Sequence, residues 1–412
     1  MAGLAAPPHP SDSRSDPPLR LDKVLVGVTE DWFALSHFKP LIRFLASVAR
    51  EVVVVARSSG RFDELEALGA RPVDFDFHRS SLDPVREMRS ALALGRLIRS
   101  ERPDVVHLIA MKPIVLGALA AETGAPMPHA VVHMTGLGFI AISEALKVRL
   151  ARRLVLRLIG RLLGRPTSWL LVENSDDLAF LRRGGADAGH RVTVLGGAGI
   201  DPDEFQPAAP RDPARVVAAF TGRMIRSKGV ELLMAAQVAL DKAGVPLAIE
   251  LYGRTDRGNP EAIPAEALEA WMRAGHGRWH GHVADVASVL RSSDIFVLPA
   301  LSREGMPRAL LEAAATALPA IVSDVPGCRH FTRNGIEGLL VPPGDLDALV
   351  AALRTLALDG PLRRRLGAAA RRRVLDGFTI DDVARGLAMS YRAMLANGPS
   401  AVSTAGRRDR DP

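Results

Sequence analysis

Two glutamates in the second half of the chain, Glu304 and Glu312, stand eight positions apart in the segment LSREGMPRALLEAAA. Pro307 fits the first turn of a helix, and eight helical positions correspond to roughly 12 Å. The paired carboxylates of a glycoside hydrolase are closer, at roughly 5 to 9.5 Å. The unpaired N–H groups of a helix that starts at about Gly305 to Arg308 favour an anion. The pair therefore suits an extended ligand with a charged middle, and a sugar nucleotide has that shape.

Two cations lie in an earlier segment, FTGRMIRSKGVELLMAA. Arg223 and Lys228 follow a predicted strand and precede a predicted helix, a position from which both charges would face a diphosphate. Taken alone, the pair is better explained as solvated surface charge. Together with the segment that holds Glu304 and Glu312, a diphosphate site becomes the better interpretation.

Short apolar runs recur through both halves of the chain. They are continuously hydrophobic, which is typical of parallel strands buried on both faces. The first half holds KVLVGVT, EVVVVAR, DVVHLIA, HAVVHMT and SWLLVEN, and the second holds RVVAAFTG, PLAIELYG, DIFVLPA, LPAIVSD and EGLLVPP. Between them, DEFQPAAPRDPAR near 204–215 predicts an interdomain linker. We therefore predict two doubly wound α/β domains whose strands end at a shared cleft.

Composition limits the compartment and the partners. The chain has 412 residues, enough for two domains, and no apolar run reaches the roughly 18 residues of a membrane span. The single cysteine, Cys328, and an N-terminus without the apolar core of a signal peptide indicate the cytoplasm. The net charge of +7 is clustered over 147–165 and 363–373, which suits phosphates or anionic lipid. Nucleic acid is not expected, because aromatic residues make up only 5% and do not interleave with the basic clusters.

A polar and aromatic segment, VTEDWFALSHFKP, follows the first predicted strand. We predict a loop there that points Glu30, Asp31, Trp32 and His37 toward the cleft, because ligands of open α/β sheets bind at the carboxyl ends of the strands. A structural role for the Trp and the His, in packing the loop on the core, is an equal alternative from these residues alone.

Longer runs carry a family resemblance. In the second half they are GRMIRSKGVELL, YGRTDRGNPEAIPAEALEAW and the stretch from GHVADV to PPGD over 281–345, with Glu304 and Glu312 as a Glu-x7-Glu signature. These runs resemble the second domain of family 4 retaining glycosyltransferases of the GT-B fold. One departure is Ala317, where that family usually has Gly. In the first half, EDWFALSHFKPLIRFL, the stretch from FHRSSLDP to VLGALAA, VVHMTGLGF and the stretch from LVENSDDL to DPDEF resemble bacterial transferases that act on polyprenyl-diphosphate-linked acceptors.

The resemblance implies a hexosyltransferase that moves a hexose or N-acetylhexosamine from a UDP-sugar to a lipid-linked saccharide in surface polysaccharide or glycan assembly. It implies no metal and no cofactor, and a peripheral location on the inner face of the cytoplasmic membrane. The predicted organisation is a disordered tail over 1–20, an acceptor-side Rossmann-like domain over 21–205, a nucleotide-sugar-binding Rossmann-like domain over 206–378, a C-terminal helix over 379–397 that packs back on the first domain, and a disordered tail over 398–412.

The resemblance also assigns roles to residues. Arg223 and Lys228 would hold the donor diphosphate, Glu312 the ribose and Glu304 the donor-sugar hydroxyls, and His133 would lie beside the anomeric carbon. Backbone donors at Gly305 and Met306 would face the leaving phosphate. The acceptor side would be lined by Trp32, His37 and Lys112. Catalysis would then be mainly electrostatic stabilisation of the departing diphosphate.

A basic amphipathic helix is predicted over 145–166, which carries seven basic residues and no acidic one. At 100° per residue, Arg149, Arg153, Arg157 and Arg161 share one face. Val148, Ala151, Val155, Ile159 and Leu162 gather on the opposite face. Leu150 and Leu154 lie among the arginines, which favours contact with an anionic membrane surface over a plainly solvated face.

Four alternatives stay open. A dehydrogenase fingerprint at Gly136, Gly138 and Ala141 lacks the acidic residue expected about 20 positions later. Asp74 and Asp76 form a D-x-D pattern that could hold a metal in a transferase of another fold, although they more simply end a strand. A sugar-nucleotide epimerase of the same fold would need no acceptor, and a non-catalytic member would bind the nucleotide sugar without turnover.

Overall fold

The computed structural model describes residues 19–78, 83–137, 146–209, 214–256 and 259–396. They form two separate parallel β-sheets, one of seven strands and one of six, each flanked by helices. This is the doubly wound, two-domain architecture predicted from the apolar runs, and all ten predicted runs contain a strand.

The first sheet has the strand order β3-β2-β1-β4-β5-β6-β7. Its strands are β1 Leu21–Glu30, β2 Ala49–Arg57, β3 Ala70–Asp74, β4 Val105–Ile109, β5 His129–Met134, β6 Ser168–Val172 and β7 Val192–Val194. The helices described in this half are α1 Asp31–His37, α2 Lys39–Val48, α3 Phe62–Glu66, α4 Pro84–Glu101, α5 Met111–Glu122, α6 Leu146–Leu163 and α7 Ser175–Arg183. Apolar side chains fill a core on each face of the sheet.

The second sheet repeats the scheme in the order β10-β9-β8-β11-β12-β13. Its strands are β8 Val216–Thr221, β9 Leu247–Tyr252, β10 Arg278–Trp279, β11 Ile295–Leu298, β12 Ala320–Ser323 and β13 Gly338–Val341. The helices described here are α8 Val230–Lys242, α9 Ala265–Arg273, α10 Val286–Arg291, α11 Arg308–Ala315, α12 Pro326–Phe331, α13 Leu346–Leu358 and α14 Gly360–Leu375. A short 3₁₀ turn, Arg226–Lys228, precedes α8.

The final helix, α15 Ile380–Ala396, leaves the second sheet and packs on the first. The backbone makes this crossing beside Ile200, whose N–H donates to Phe378 O and whose carbonyl accepts from Ile380 N. Leu387, Tyr391 and Met394 of α15 are buried in the core between the first sheet and α2. The last described helix therefore completes the domain with which the chain begins.

Most of the segment 28–40 is helical rather than a loop: β1 continues to Glu30, α1 spans Asp31–His37 and α2 begins at Lys39. Asp31, Ala34, Leu35 and Phe38 are buried at helical spacing, so that α1 packs on the sheet through one face. This periodicity was present in the sequence, but the density of polar and aromatic residues suggested a loop.

Ala317 follows the end of α11 and has a φ of 60°. Helices commonly end with a glycine in this left-handed conformation, because any Cβ there crowds the backbone. The departure from the family noted at Ala317 is therefore a matter of backbone conformation at a helix end.

Candidate active site

The turn after β8 positions Lys228. Gly229, with a φ of 78°, reverses the chain so closely against the segment after β11 that a Cβ would collide with Pro299 O. Leu301 N donates to Ser227 O at 2.8 Å, which fixes the turn beside Glu304. Lys228 Nζ lies 2.7 Å and 2.8 Å from the two carboxylate oxygens of Glu304. The structure therefore brings together two residues that the sequence predicted at one site, and it shows them as an ion pair.

A second ion pair begins α11. Arg308 Nε lies 2.7 Å from Glu312 Oε1, and burial raises the pKa of Glu312 while the arginine lowers it. Arg308 also donates to Ser36 O at the end of α1, so it reaches from the second domain to the first. The sequence analysis did not single out Arg308, although its spacing of four from Glu312 in a predicted helix was a usable signal.

The remaining predicted cation, Arg223, is more exposed. Its Nη1 lies 2.9 Å from Asp256 Oδ2. Across from it, burial and then the charges of Arg308, Lys228 and Arg223 lower the pKa of His37 to about 4. A neutral His37, whose Nδ1 is 2.7 Å from Ser36 Oγ, therefore borders the same positive region. The structure places His37 beside the predicted donor residues, whereas the sequence assigned it to the acceptor side.

The two domains touch closely at Gly305. A Cβ on this residue would collide with Thr135 O and with the carboxylate of Glu173, so only glycine fits between them. Asn174 Nδ2 donates to Gly305 O at 2.9 Å, and Arg303 Nη2 lies 2.7 Å from the buried Asp177. These contacts hold the segment before α11 against the carboxyl end of β6.

Glu173, which directly follows β6, is a site residue that the sequence analysis missed. Its Oε2 accepts a hydrogen bond from Met306 N at 2.7 Å, and Met306 was predicted to offer that N–H to a phosphate. Burial is the main cause that raises the pKa of Glu173 to about 8; the bond from Met306 opposes this rise, and the negative charges of Asp177 and Glu304 add to it. The carboxyl group of Glu173 thus accepts the hydrogen bond that Met306 N was predicted to donate to a phosphate.

His133, near the end of β5, is buried and joined to two other buried residues. Its Nδ1 is 3.2 Å from His107 Nε2, and His107 Nδ1 is 2.8 Å from the hydroxyl of Tyr391 in α15. Burial lowers the pKa of His133 to about 4. The sequence singled out His133, but the partnership with residues 26 and 258 positions away could not be seen in it.

The predicted acceptor-side residues are not all open to the cleft. Asp31 is fully buried and accepts hydrogen bonds from Ser59 and Arg61, so it supports α1 and does not line the cleft. Trp32 is half-buried at the start of α1, with its ring 5.9 Å from that of Phe33. Lys112 Nζ lies 2.5 Å from Glu87 Oε1, so any anion would have to compete with that carboxylate.

The backbone just before Lys112 is strained. Ala110, just before α5, has a φ of 69° and a ψ of 164°, a conformation almost confined to glycine. Its N–H donates to His133 O at 3.0 Å, which holds the start of α5 beside β5. Strained backbone of this kind clusters at functional sites, and here it lies next to a predicted catalytic residue.

The basic helix appears as α6. Arg149, Arg153, Arg157 and Arg161 are all exposed, and so are Leu150 and Leu154, with 56% and 61% of their surface accessible. Ile159 and Leu162, on the predicted apolar face, pack into the core, but Ala151 is exposed, so this face is narrower than the sequence indicated. Within the described part of the chain, no helix combines the length and apolar character needed to cross a bilayer.

The residues of the alternative metal site have local partners. Asp74 accepts from Ser58 N at 3.0 Å, and Asp76 accepts from His78 N at 2.7 Å. Across the described ranges, no three side chains of His, Cys, Asp or Glu cluster as a metal site. Of the alternative dinucleotide fingerprint, Gly138 and Ala141 lie outside the described residues.

Comparison with known proteins identifies the family to which these two domains belong. Residues 215–359 match the family model described as "Glycosyl transferases group 1", and residues 23–162 match that described as "Glycosyl transferase 4-like". Together the two models cover about two thirds of the chain. The first range contains the charged residues Arg223, Lys228, Glu304 and Glu312, and the second contains His133. The chain is a glycosyltransferase of the GT-B fold.

Two curated relatives match over most of their length. The glycosyltransferase is 25% identical over 347 residues to the N,N'-diacetylbacillosaminyl-diphospho-undecaprenol alpha-1,3-N-acetylgalactosaminyltransferase of Campylobacter jejuni, covering 81% of this chain and 89% of the relative. It is 26% identical over 310 residues to the UDP-Gal:alpha-D-GlcNAc-diphosphoundecaprenol alpha-1,3-galactosyltransferase of Escherichia coli, covering 72% and 77%. The family resemblance found in the sequence is thereby confirmed.

Solved structures share the fold. The Anabaena protein HepE in complex with UDP-glucose superposes with a TM-score of 0.72 at 16% identity, over 91% of this glycosyltransferase and 100% of that chain. Sucrose-phosphate synthase from Thermosynechococcus elongatus gives a TM-score of 0.72 at 19% identity, over 91% and 99%. At these identities the likeness confirms the two-domain fold alone.

Proposed function

We propose that this glycosyltransferase is a retaining enzyme that transfers a hexose or N-acetylhexosamine from a UDP-sugar to a saccharide linked to polyprenyl diphosphate. The observation that carries the proposal is the row of charges at the start of α11, where Lys228 pairs with Glu304 and Arg308 pairs with Glu312. The names of the two curated relatives support the acceptor class, and the UDP-glucose complex of HepE supports the donor class.

The paired charges suit a donor that enters as an anion. Its diphosphate replaces Glu304 as the partner of Lys228, and Arg223 adds a second cation. The carboxylate released from Lys228 becomes available to the sugar hydroxyls, while Glu312, at the other end of the row, meets the ribose. Contacts that strengthen as negative charge develops on the leaving group lower the barrier most.

The transfer breaks the bond between the anomeric carbon and the diphosphate oxygen and forms a bond from that carbon to the acceptor oxygen. The acceptor hydroxyl attacks from the face that the diphosphate leaves, which retains the anomeric configuration. Its proton passes to the departing diphosphate. No metal is required in this scheme, because Arg223, Lys228 and backbone N–H groups supply the positive charge.

A donor screen tests the proposal. UDP-glucose, UDP-galactose and their N-acetylated counterparts would each be incubated with a polyprenyl-diphosphate saccharide, with and without a chelator. We expect one product whose mass is greater by one sugar, with the donor's anomeric configuration by NMR and an unchanged yield in the chelator. A donor epimer formed without acceptor would point to the epimerase, and donor binding without turnover to the non-catalytic alternative.

The lipid-linked acceptor requires access to a membrane, and we propose that α6 provides it from the cytoplasmic side. A groove beside its exposed face combines cationic with apolar side chains. It is lined by Leu150, Arg153, Leu154, Arg157, Phe180 and Arg183, among others. Basic residues near an anionic leaflet contribute roughly 1 kcal/mol each, and exposed leucines add apolar contact.

Charge reversal of α6 tests the membrane contact. Arg149, Arg153 and Arg157 would be replaced by Glu, and Arg161 kept because it lies 3.2 Å from Glu122. We expect loss of co-sedimentation with anionic liposomes and unchanged turnover of a short-chain, water-soluble acceptor. The control carries the same reversal at Arg364, Arg365 and Arg372, which are exposed on α14. Binding that survives the α6 reversal at high salt would contradict the proposal.

A further inference from the structure

The outward face of α4 combines apolar and basic side chains in the same way as that of α6. At 100° per residue, six exposed side chains of α4 fall within an arc of about 100°. They are three apolar residues and three arginines: Val85, Met88 and Leu92, with Arg89, Arg96 and Arg99. The apolar three have 59%, 41% and 41% of their surface accessible. Apolar residues aligned along one helix face, unlike singly scattered ones, mark a contact surface.

The acidic residues of α4 and its N-cap are engaged locally. Glu87 Oε1 lies 2.5 Å from Lys112 Nζ, and Asp83 caps the helix by accepting a hydrogen bond from a backbone N–H. Glu101, at the other end of the helix, is paired with basic residues outside it. The exposed arginines therefore give this face a positive charge, which favours an anionic partner.

The exposed faces of α4 and α6 lie on the same side of the first domain. Both helices pack on one face of the first sheet together with α5, which lies between them and contacts both. Within α5, all of whose residues the structure describes, only Glu122 is exposed. Because packed helices are roughly 8–10 Å apart, α4 and α6 present two parallel lines of exposed side chains roughly 16–20 Å apart.

The apolar residues occupy matching positions along the two helices. Met88 and Leu150 are each the fifth residue of their helix, and Leu92 and Leu154 are each the ninth. The second half of each helix exposes two arginines instead: Arg96 and Arg99 in α4, and Arg157 and Arg161 in α6. Both exposed faces are therefore apolar in the first half and basic in the second.

The apolar halves lie at the edge of the cleft. α4 ends just before β4 and α6 just before β6, so both helices finish at the amino edge of the parallel sheet and begin at its carboxyl edge. The carboxyl edge faces the second domain, since Thr135 O, just after β5, lies against Gly305. A surface that contacts both apolar halves would therefore lie beside the opening of the cleft.

We propose that α4 and α6 together form one membrane-docking surface, with their apolar first halves in the interfacial layer of an anionic bilayer and their arginines against its headgroups. This inference rests on the proposed transfer to a lipid-linked acceptor and adds a second helix and an orientation to it. Contact along a single helix would leave the enzyme free to roll about that helix. Contact along two lines prevents this rotation and holds the cleft edge at the bilayer, where a lipid-linked diphosphate lies.

Fluorescent labels test whether both helices touch the bilayer. The chain's one cysteine, Cys328, is buried, so a thiol-reactive fluorophore labels only a cysteine introduced by Met88→Cys, Leu154→Cys or, as the control in the second domain, Leu358→Cys. The full-length proteins would be mixed with phosphatidylglycerol vesicles that carry a quencher in their acyl chains. We expect quenching at positions 88 and 154 and none at 358. Quenching at 154 without quenching at 88 would overturn the inference.

Removal of the apolar residues of α4 measures their contribution. The α4 variant replaces Val85, Met88 and Leu92 by Gln, and we expect it to lower the partition coefficient onto these vesicles about 10-fold. Turnover of a long-chain acceptor embedded in the vesicles should fall with it, whereas turnover of a short-chain, water-soluble acceptor should not change. The control replaces three exposed apolar residues of the second domain by Gln: Ile336, Leu358 and Leu375. Equal vesicle binding by the α4 variant and the control would contradict the proposal.

Two further outcomes identify what the face binds. If positions 88 and 154 are both quenched but no acceptor is glycosylated with any donor, the docking surface is supported while the proposed function fails. If the protein self-associates in lipid-free buffer, as measured by analytical ultracentrifugation, and the α4 variant does not, the face binds a second copy of the chain and the inference is overturned.

Discussion

The two sides of the cleft differ in how they hold their polar groups. On the second domain, Lys228 with Glu304 and Arg308 with Glu312 are charged pairs that remain partly accessible. On the first domain, His133 and His107 are neutral and buried. A charged pair can exchange one partner for a charged ligand, whereas neutral buried side chains cannot. The difference supports the proposal that the diphosphate binds on the second domain.

The largest effect is expected from removing the cations of the second domain. Arg223→Ala and Lys228→Ala should each lower kcat/KM more than 100-fold, since about 2.7 kcal/mol of stabilisation of the leaving diphosphate corresponds to that factor. Steady-state kinetics would measure the loss. Arg226→Ala is the control, because this residue is in the same turn but pairs with Glu231 in solvent. If Arg223→Ala and Lys228→Ala were both as active as the control, the diphosphate would bind elsewhere.

Substitutions of Glu304 and Glu312 should affect different kinetic parameters. Glu304→Gln should lower kcat about 100-fold because Glu304 lies at the reacting sugar, and Glu312→Gln should raise the donor KM about 10-fold because it lies at the ribose. Full donor-saturation curves for both variants separate the two effects. Matching losses in the same parameter would show that the glutamates do not hold opposite ends of one ligand.

The pH dependence of Glu173 provides a test of whether the polar groups on the first-domain side of the cleft are neutral. Its pKa of about 8 means that the folded protein holds a proton that the unfolded chain releases near pH 4.5, so this carboxyl's contribution to stability falls as pH rises from about 4.5 to about 8. Above that range its charge would also repel a diphosphate bound near the start of α11. We expect UDP affinity of the wild type to fall about 10-fold between pH 7 and pH 9, equivalent to about 1.4 kcal/mol.

Glu173→Gln should have a nearly flat UDP affinity over the same range, because its side chain stays neutral. Calorimetric titration at both pH values measures the difference, with urea unfolding to follow stability. Parallel pH curves for the two proteins would mean that Glu173 does not titrate beside the phosphate.

The smallest effect is expected from an uncharged position of the second domain, Ala317, and it concerns stability alone. Ala317→Gly should raise the free energy of unfolding by about 1 kcal/mol, because a Cβ is disfavoured at a φ of 60°. Kinetic constants should not change. Ala315→Gly, inside α11, is the matched control and should be destabilising. Urea unfolding compares the two, and a loss of stability at position 317 would contradict the backbone argument.

The fold could be predicted from the sequence because strands buried on both faces of a parallel sheet form continuous apolar runs. Among the described strands, β3, β7 and β10 are not in the predicted apolar runs; they are short and only partly buried, so they lack a continuous apolar run. In the site, Glu304, Glu312, Arg223 and Lys228 were predicted from segments that contain helix starts and strand ends. Lys228 and Glu304 are each other's partner, whereas Arg308 and Asp256, the partners of Glu312 and Arg223, were not singled out.

Long-range partners explain what the sequence could not provide. Glu173 meets Met306 only after both domains have folded and docked, although its position at the carboxyl end of the predicted strand SWLLVEN was a usable signal. Tyr391 looks like one apolar position of an amphipathic helix, and its hydroxyl meets His107 of the first sheet only in the folded protein. Such roles depend on tertiary contacts that neither periodicity nor local motif encodes.

The return of α15 to the first domain also affects how the protein is made. Translation delivers the first sheet early, but Leu387, Tyr391 and Met394, which fill its core, emerge from the ribosome only after the whole second sheet. Until then, the surface of the sheet beside α2 is exposed and the histidines lack their tyrosine. A nascent chain therefore completes this core and the contact between His107 and Tyr391 in the same late step, so that chains cut short before α15 would lack both.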